Sequence, residues 1–148
     1  MQKCKTSDAE MQGVRCRGSR RDDRTQKHKK HKNTINLMRE RRLLLGDEAI
    51  ALGAVHAGLS GCYAYPGTPS TEITEFVQGD ATARARGIHC RWSSNEKTAM
   101  EEALGMSYMG KRAIVCMKHV GMNVCADAFV NSAMTGTNGG LVVVAADD

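Results

Sequence analysis

The feature that most constrains the fold is an alternation of short apolar segments with helical patterns after residue 42. Strands are predicted at 62–65, 88–92, 113–117 and Leu141–Ala146. Helical spacing, capping residues and glycine stops predict helices at 49–57, from 70 or 71 to about 78, at 97–109 and at 123–134. Strands that alternate with helices indicate right-handed βαβ units. The sequence therefore predicts an α/β fold, a parallel sheet with helices on both faces.

Charge divides the chain into two parts. Residues 1–42 carry 14 basic and 5 acidic side chains, so their net charge of +9 exceeds the +5 of the whole chain. Only nine residues of this segment are apolar, too few to offset the entropy of ordering it. We predict that residues 1–42 form a disordered basic tail and that residues 43–148 form the domain.

The composition also bears on location and on metals. The chain has neither an apolar run typical of a signal peptide nor one of about 18 residues that would span a membrane, so we expect a cytoplasmic protein without membrane contact. The six cysteines show no CxxC and no other zinc or iron–sulfur spacing. We expect reduced cysteines, those of the domain being small buried thiols, and no metal bound by this chain.

Polar residues follow the predicted strands at 65–70, 93–96 and 118–123. The carboxyl ends of parallel strands meet at one edge of the sheet, where ligands of such folds bind. No GxGxxG follows a strand and no P-loop motif occurs, so a dinucleotide or P-loop nucleotide site is not supported. The sequence predicts a polar edge formed by the three loops.

The residues of this edge each allow two interpretations. Glu96 fits a capping box with Ser93, and it equally fits a carboxylate that hydrogen-bonds a ligand nitrogen. Thr68 fits a turn hydroxyl as well as a binding group, and Lys118 and His119 fit solvated loop residues as well as ligand contacts. Residue chemistry alone leaves these alternatives open.

Five strings carry a resemblance to a known family: LLLGDEAIALGAVHAG from residue 43, YPGTPSTE from 65, WSSNEKTAMEEALG from 92, MKHVGMNVCADAF from 117 and GGLVVVAADD from 139. In order and spacing they resemble the amino-terminal part of the alpha subunit of the indolepyruvate ferredoxin oxidoreductases. These enzymes are a branch of the thiamine-diphosphate-dependent 2-oxoacid:ferredoxin oxidoreductases. The resemblance covers essentially all of residues 43–148 and implies the pyrimidine-binding domain.

The resemblance implies roles for particular residues. Glu96 matches the glutamate that hydrogen-bonds N1′ of the aminopyrimidine of thiamine diphosphate and so activates the cofactor. Thr68 matches a threonine that contacts the carboxylate or carbonyl of the substrate. Further cofactor-binding candidates are Tyr65, Pro66, Gly67, Lys118, His119 and Asn123.

The resemblance also implies an activity and partners. The enzyme would oxidatively decarboxylate aryl 2-oxoacids such as indolepyruvate to the acyl-CoA and pass electrons to ferredoxin, together with a beta subunit and coenzyme A. The regions that hold Mg²⁺ and iron–sulfur clusters in the family are absent, so we expect a partial pyrimidine domain that is inactive alone. Its last strand, Leu141–Ala146, is then expected to be an aggregation-prone edge. Because such subunits begin near residue 38, Met38 is the expected start.

Two other functions stay open at this stage. A nucleic-acid-associated protein would use the basic tail as an electrostatic arm, but the tail has no aromatic residues for base stacking. Nucleic-acid binding is therefore not expected. The other alternative is a pyrimidine-domain protein without catalysis.

Overall fold

The computed structural model describes residues 41–147, and the structural statements below concern those residues. The predictions of a disordered tail and of a start at Met38 fall on residues 1–40 and so lie almost wholly outside the described part. Both remain predictions.

Four parallel strands form one sheet. They are β1 (Gly61–Ala64), β2 (His89–Trp92), β3 (Ala113–Lys118) and β4 (Leu141–Ala146), and their order in the sheet is β2-β1-β3-β4. The central strands β1 and β3 are almost entirely buried, which explains their continuous apolar composition.

Six helices connect or precede the strands. They are α1 (Gly46–His56), α2 (Thr71–Gly79), α3 (Ala81–Ala85), α4 (Glu96–Tyr108), α5 (Gly121–Val124) and α6 (Ala126–Thr135). The connection from β1 to β2 contains α2 and α3, α4 joins β2 to β3, and α5 with α6 joins β3 to β4.

Helices cover both faces of the sheet, as predicted, and each face has its own core. On one face Val55 of α1, Ile73 and Val77 of α2 pack against strand residues such as Cys62 and Ile114. The core of the opposite face contains Tyr63, Ala99, Met100, Ala103, Val115, Met117, Cys125 and Ala128. Alternate residues of one strand therefore serve the two cores, as the pleat requires.

Besides small shifts at the ends of other elements, the structure corrects the predicted elements in three places. The segment after α2 contains a further helix, α3, because the Asp80 side chain accepts a hydrogen bond from Ala83 N at 2.7 Å. The single helix predicted at 123–134 is two, α5 and α6, separated at Cys125, where φ is −100° and ψ 11°. Lys118 is the last residue of β3, not a loop residue, because it pairs with Ala146 of β4.

Candidate functional site

The predicted site edge exists, because the loops after β1, β2 and β3 all leave the carboxyl edge of the parallel sheet. The chain leaves β1 toward the face covered by α2, whereas it leaves β3 toward the face covered by α5 and α6. β1 and β3 are neighbours, so the connections change faces between these two strands. The carboxyl edge at such a switch point is the usual ligand site of this architecture.

The loop after β1 is a tight turn held by its own backbone and hydroxyl groups. Ser70 Oγ donates to Gly67 O at 2.8 Å, and Gly67 N donates to Thr71 Oγ1 at 3.2 Å. Ser70 and Thr71 thus supply the turn hydroxyls, a role that one interpretation had given to Thr68. Thr68 is exposed, and its hydroxyl makes no hydrogen bond within the described residues. Tyr65 and Pro66 are exposed beside it.

Gly67 joins this loop to β3. A methyl group added at Gly67 would lie 3.3 Å from Lys118 Cβ and 3.7 Å from Lys118 N. The YPGTP turn therefore rests against the last residue of β3. Two of the predicted site residues are in this way brought together.

The start of α4 excludes the capping-box interpretation of Glu96. The N-cap is Asn95, whose side-chain oxygen accepts a hydrogen bond from Thr98 N at 2.8 Å. Ser93 Oγ instead donates to Glu102 Oε2 at 2.7 Å. The Glu96 side chain is half-buried, and its carboxylate has neither a hydrogen bond nor an ion pair within residues 41–147. The structure leaves this carboxylate available to a ligand.

Glu96 lies directly against Gly121, the first residue of α5. A methyl group at Gly121 would come within 2.6 Å of Glu96 Cγ and 2.9 Å of Glu96 Oε1. Next to it, Lys97 Nζ and Asp127 Oδ2 form an ion pair of 2.7 Å between α4 and α6. The beginning of α4 is therefore fixed against the segment that follows β3.

The remaining candidates lie around this contact. His119 is exposed; its Nδ1 lies 3.1 Å from Asp147 Oδ1 and its backbone N donates to Ala146 O at 2.8 Å, so it is bound to the end of β4. Asn123 is exposed in α5. Gly121 was not predicted as a site residue, although its place between the KHV and MN strings was a usable signal.

The core on the face of α1 and α2 contains a cluster of three thiols, those of Cys62, Cys90 and Cys116. Cys62 of β1 lies opposite Cys90 of β2 in the sheet. Cys62 Sγ lies 3.8 Å from Thr74 Oγ1, and Cys90 Sγ lies 3.7 Å from Thr74 O. Hydrogen bonds from Cys116 and Cys90 lower the pKa of Cys62. Hydrogen bonding to Cys62, together with burial, raises the pKa of Cys90 and of Cys116. All four cysteines of the described segment are free, as predicted.

Metal donors and membrane spans were sought over the same residues. No group of three or more His, Cys, Asp or Glu side chains in residues 41–147 is arranged to hold a metal ion. None of the helices in that range is both long and apolar enough to cross a bilayer.

Comparison with known proteins gives several relatives, although no family model matches the chain. Indolepyruvate oxidoreductase subunit IorA of Thermococcus kodakarensis is 49% identical over 109 residues, which are 74% of this chain and 16% of the relative. The subunit of the same name from Archaeoglobus fulgidus is 50% identical over 112 residues, 74% of this chain and 18% of the relative. This chain is related to one segment of the indolepyruvate oxidoreductase subunits.

A solved structure agrees with the sequence relationship. The chain is similar to 2-oxoglutarate:ferredoxin oxidoreductase from Magnetococcus marinus, with a TM-score of 0.65 and 26% identity over 70% of this chain and 18% of the other. The predicted resemblance is thus confirmed at the level of sequence and fold. The chain spans only about one sixth of the length of the relatives cited above.

Proposed function

We propose that this chain supplies the aminopyrimidine-binding part of a thiamine-diphosphate-dependent 2-oxoacid oxidoreductase that acts on aryl 2-oxoacids such as indolepyruvate. The observation that carries the proposal is the Glu96 carboxylate, half-buried at the carboxyl edge of the sheet and without a partner within the described residues. Burying a carboxylate without a partner costs free energy, and a ligand hydrogen bond would recover that cost.

The residues of the edge fit an aminopyrimidine in two respects. Glu96 would hold a proton between its carboxylate and ring nitrogen N1′. Gly67 has no side chain where the loop after β1 meets Lys118, and Gly121 has none where α5 meets Glu96. When bound, the cofactor supplies the electron sink for decarboxylation.

The other candidate residues would bind and orient. The exposed Thr68 hydroxyl, free of the turn's own hydrogen bonds, would donate to the carboxylate or carbonyl of the 2-oxoacid. Tyr65 and Pro66 would border the cofactor on the β1 side, and Lys118, His119 and Asn123 would border it on the β3 side. The diphosphate with Mg²⁺ and the iron–sulfur clusters would be bound outside residues 41–147.

The full reaction would require partners. The word subunit in the names of its relatives supports a further subunit, and the name of the Magnetococcus marinus enzyme supports ferredoxin as electron acceptor. Coenzyme A as acyl acceptor follows from the family resemblance. Four free cysteines, three of them buried, suit a reducing cytoplasm, where we expect the protein to work.

NMR titration of the 148-residue chain with 4-amino-2-methylpyrimidine tests the cofactor assignment. We expect the amide resonances of Glu96 and Gly121 to shift as ligand is added. The apparent affinity obtained from these shifts should be at least about tenfold weaker in E96Q, since one charge-assisted hydrogen bond is lost. Glu101, exposed on the same helix, gives the matched control E101Q. Equal responses of E96Q and the wild-type chain would disprove the role of Glu96.

A chimera addresses the substrate. Residues 43–148 would replace the corresponding segment of the Thermococcus kodakarensis subunit, and indolepyruvate-dependent reduction of a viologen dye would be measured. We expect the chimera to be active, its E96Q form to be inactive and its E101Q form to match the parent chimera. Full activity of the E96Q chimera would contradict the proposal.

A further inference from the structure

We propose that Gly121 is a positioning residue that sets the direction of the Glu96 carboxylate. The purpose of that direction, contact with an aminopyrimidine, rests on the proposed function. The geometric role itself depends only on the contact between α4 and α5.

The contact leaves no room for a side chain at position 121. A methyl group there would lie 2.6 Å from Cγ, 2.9 Å from Oε1 and 3.0 Å from Cδ of Glu96. Carbon atoms in van der Waals contact are about 3.5 to 4.0 Å apart, so three atoms of Glu96 would have to move. Gly121 therefore packs directly against Cγ, Cδ and Oε1 of Glu96.

Backbone conformation does not explain the glycine. Within the described residues, the glycines with positive φ are Gly58, Gly87, Gly110 and Gly136. Gly121 is not among them and begins a helix. Space beside Glu96 is therefore what position 121 requires, not the left-handed conformation that usually selects glycine.

Both sides of the contact are anchored. Gly121 is buried, and its carbonyl accepts a hydrogen bond from the amide of Cys125, a fully buried residue, at 3.1 Å. On the other side, Asn95 caps the first turn of α4, and the exposed ion pair between Lys97 and Asp127 adds a small contribution. A methyl group at position 121 would therefore displace the Glu96 side chain rather than either backbone.

Sterics alone then decide where the carboxylate points. Glu96 has no hydrogen bond or ion pair within the described residues that would hold its carboxylate in one direction. The buried Cys125 thiol lies close enough that burial and, in addition, the Glu96 charge raise its pKa. Gly121 closes one side of Glu96, whose side chain is half-buried at the carboxyl edge of the sheet.

Carbon-detected NMR of the 148-residue chain tests the positioning role directly. In G121A we expect the 13Cδ resonance of Glu96 to move, while that of Glu101 stays within experimental error of its wild-type value. G105A is the matched control, because Gly105 lies in α4 with nothing within 4 Å of an added methyl group. An unchanged Glu96 resonance in folded G121A would overturn the proposal.

Thermal unfolding with a second substitution covers the case in which G121A folds poorly. We expect G121A to lower the Tm through overpacking, and E96A to restore at least half of that loss in the double variant. E96Q keeps the size of the side chain and should restore little. Failure of E96A to restore the Tm would overturn the steric assignment.

A second glycine shows what a purely structural role looks like. Gly139 packs against the backbone of Gly110 and Lys111, and a methyl group there would overlap Lys111 O. G139A should therefore lower the Tm equally in the wild-type chain and in the E96A variant, since an added methyl group at Gly139 meets no atom of Glu96. If E96A restored as much of the Tm loss of G139A as of G121A, a specific contact between Gly121 and Glu96 would be contradicted.

The outcome is separable from that of the proposed function. Movement of the Glu96 resonance and rescue by E96A are measured without any ligand, so they hold even if 4-amino-2-methylpyrimidine does not bind. Conversely, loss of pyrimidine binding in E96Q with no effect of G121A on Glu96 would support the function and refute the positioning role.

Discussion

Two glycines at the carboxyl edge of the sheet show how single residues set the distance between neighbouring loops. A methyl group at Gly67 would meet Lys118 Cβ at 3.3 Å, whereas one at Gly121 would meet Glu96 Cγ at 2.6 Å. The first contact is tight and needs only small movements of its neighbour. The second cannot form unless Glu96 turns away.

G67A should therefore be much milder than G121A. We expect its free energy of unfolding to stay within about 1 kcal/mol of the wild-type value, because lower entropy of the unfolded chain offsets the tight contact. Amide resonances of Lys118 and His119 should nevertheless shift. Chemical denaturation and a proton–nitrogen spectrum measure both effects, with G79A, where nothing lies within 4 Å, as control. A G67A variant as damaging as G121A would refute this ranking.

At the residue scale the sequence indicated which groups face the edge but not what they contact. Glu96 was a candidate from its place after a strand, and it does lie at that edge. Its cap partner was wrong, because Asn95 rather than Ser93 caps α4 and Ser93 turns to Glu102. Both are good N-cap residues, so local preference does not choose between them. The contact with Gly121 joins segments 25 residues apart and has no local pattern.

Between elements, one ion pair connects the starts of α4 and α6. The hydrogen bond between Lys97 and Asp127 raises the pKa of Lys97 and lowers the pKa of Asp127. A carboxyl whose pKa is lowered by folding stabilises the protein above its unfolded pKa, and this contribution is lost as the pH falls through the folded pKa. Both side chains are exposed, so the effect is small and screened by salt.

K97M should accordingly lower the Tm at neutral pH and not in acid. We expect the Tm difference from the wild-type chain to be constant from about pH 5 to 8 and to vanish below the pKa of Asp127, which the hydrogen bond from Lys97 lowers from its ordinary value of about 3.9. In 1 M salt the neutral-pH difference should shrink. K111M, at an exposed lysine, is the control; calorimetry across pH would contradict the assignment if the K97M difference persisted at pH 2.

Element existence followed from periodicity, whereas element ends followed from contacts. The apolar strands and the main helices were predicted because buried strands and amphipathic helices leave patterns in the sequence. The short helix α3 was missed although Asp80 is a good cap, since five residues give little periodicity. The break at Cys125 was missed because its buried thiol fits a continuous helix as well as two.

Over the whole of the described domain, β4 is an edge strand with an exposed apolar side chain. It pairs only with β3 within residues 41–147, and Val142 is 54% exposed. An unpaired edge with apolar side chains favours pairing with another chain, as expected for this strand from the sequence. Val130 on α6 is similarly exposed, at 56%, but does not lie on an edge strand.

V142K should reduce self-association of the 148-residue chain more than V130K. A lysine on an edge strand opposes pairing with a second edge, while a lysine on a helix only removes apolar surface. Sedimentation velocity at increasing protein concentration measures the difference. Equal effects of the two substitutions would show that general apolar exposure, not the edge, drives association.

The sequence by itself determined the α/β class, the parallel order of alternating elements and the edge at which polar residues gather, because periodicity and strand direction are local and repetitive. Residue chemistry singled out Glu96 and Thr68, and the family resemblance added Gly67. Only the tertiary structure decided the neighbours: Gly67 against Lys118, Gly121 beneath Glu96, and Lys97 paired with Asp127. These contacts join residues 25 to 51 positions apart, and no local preference encodes which loops the packed sheet brings within reach.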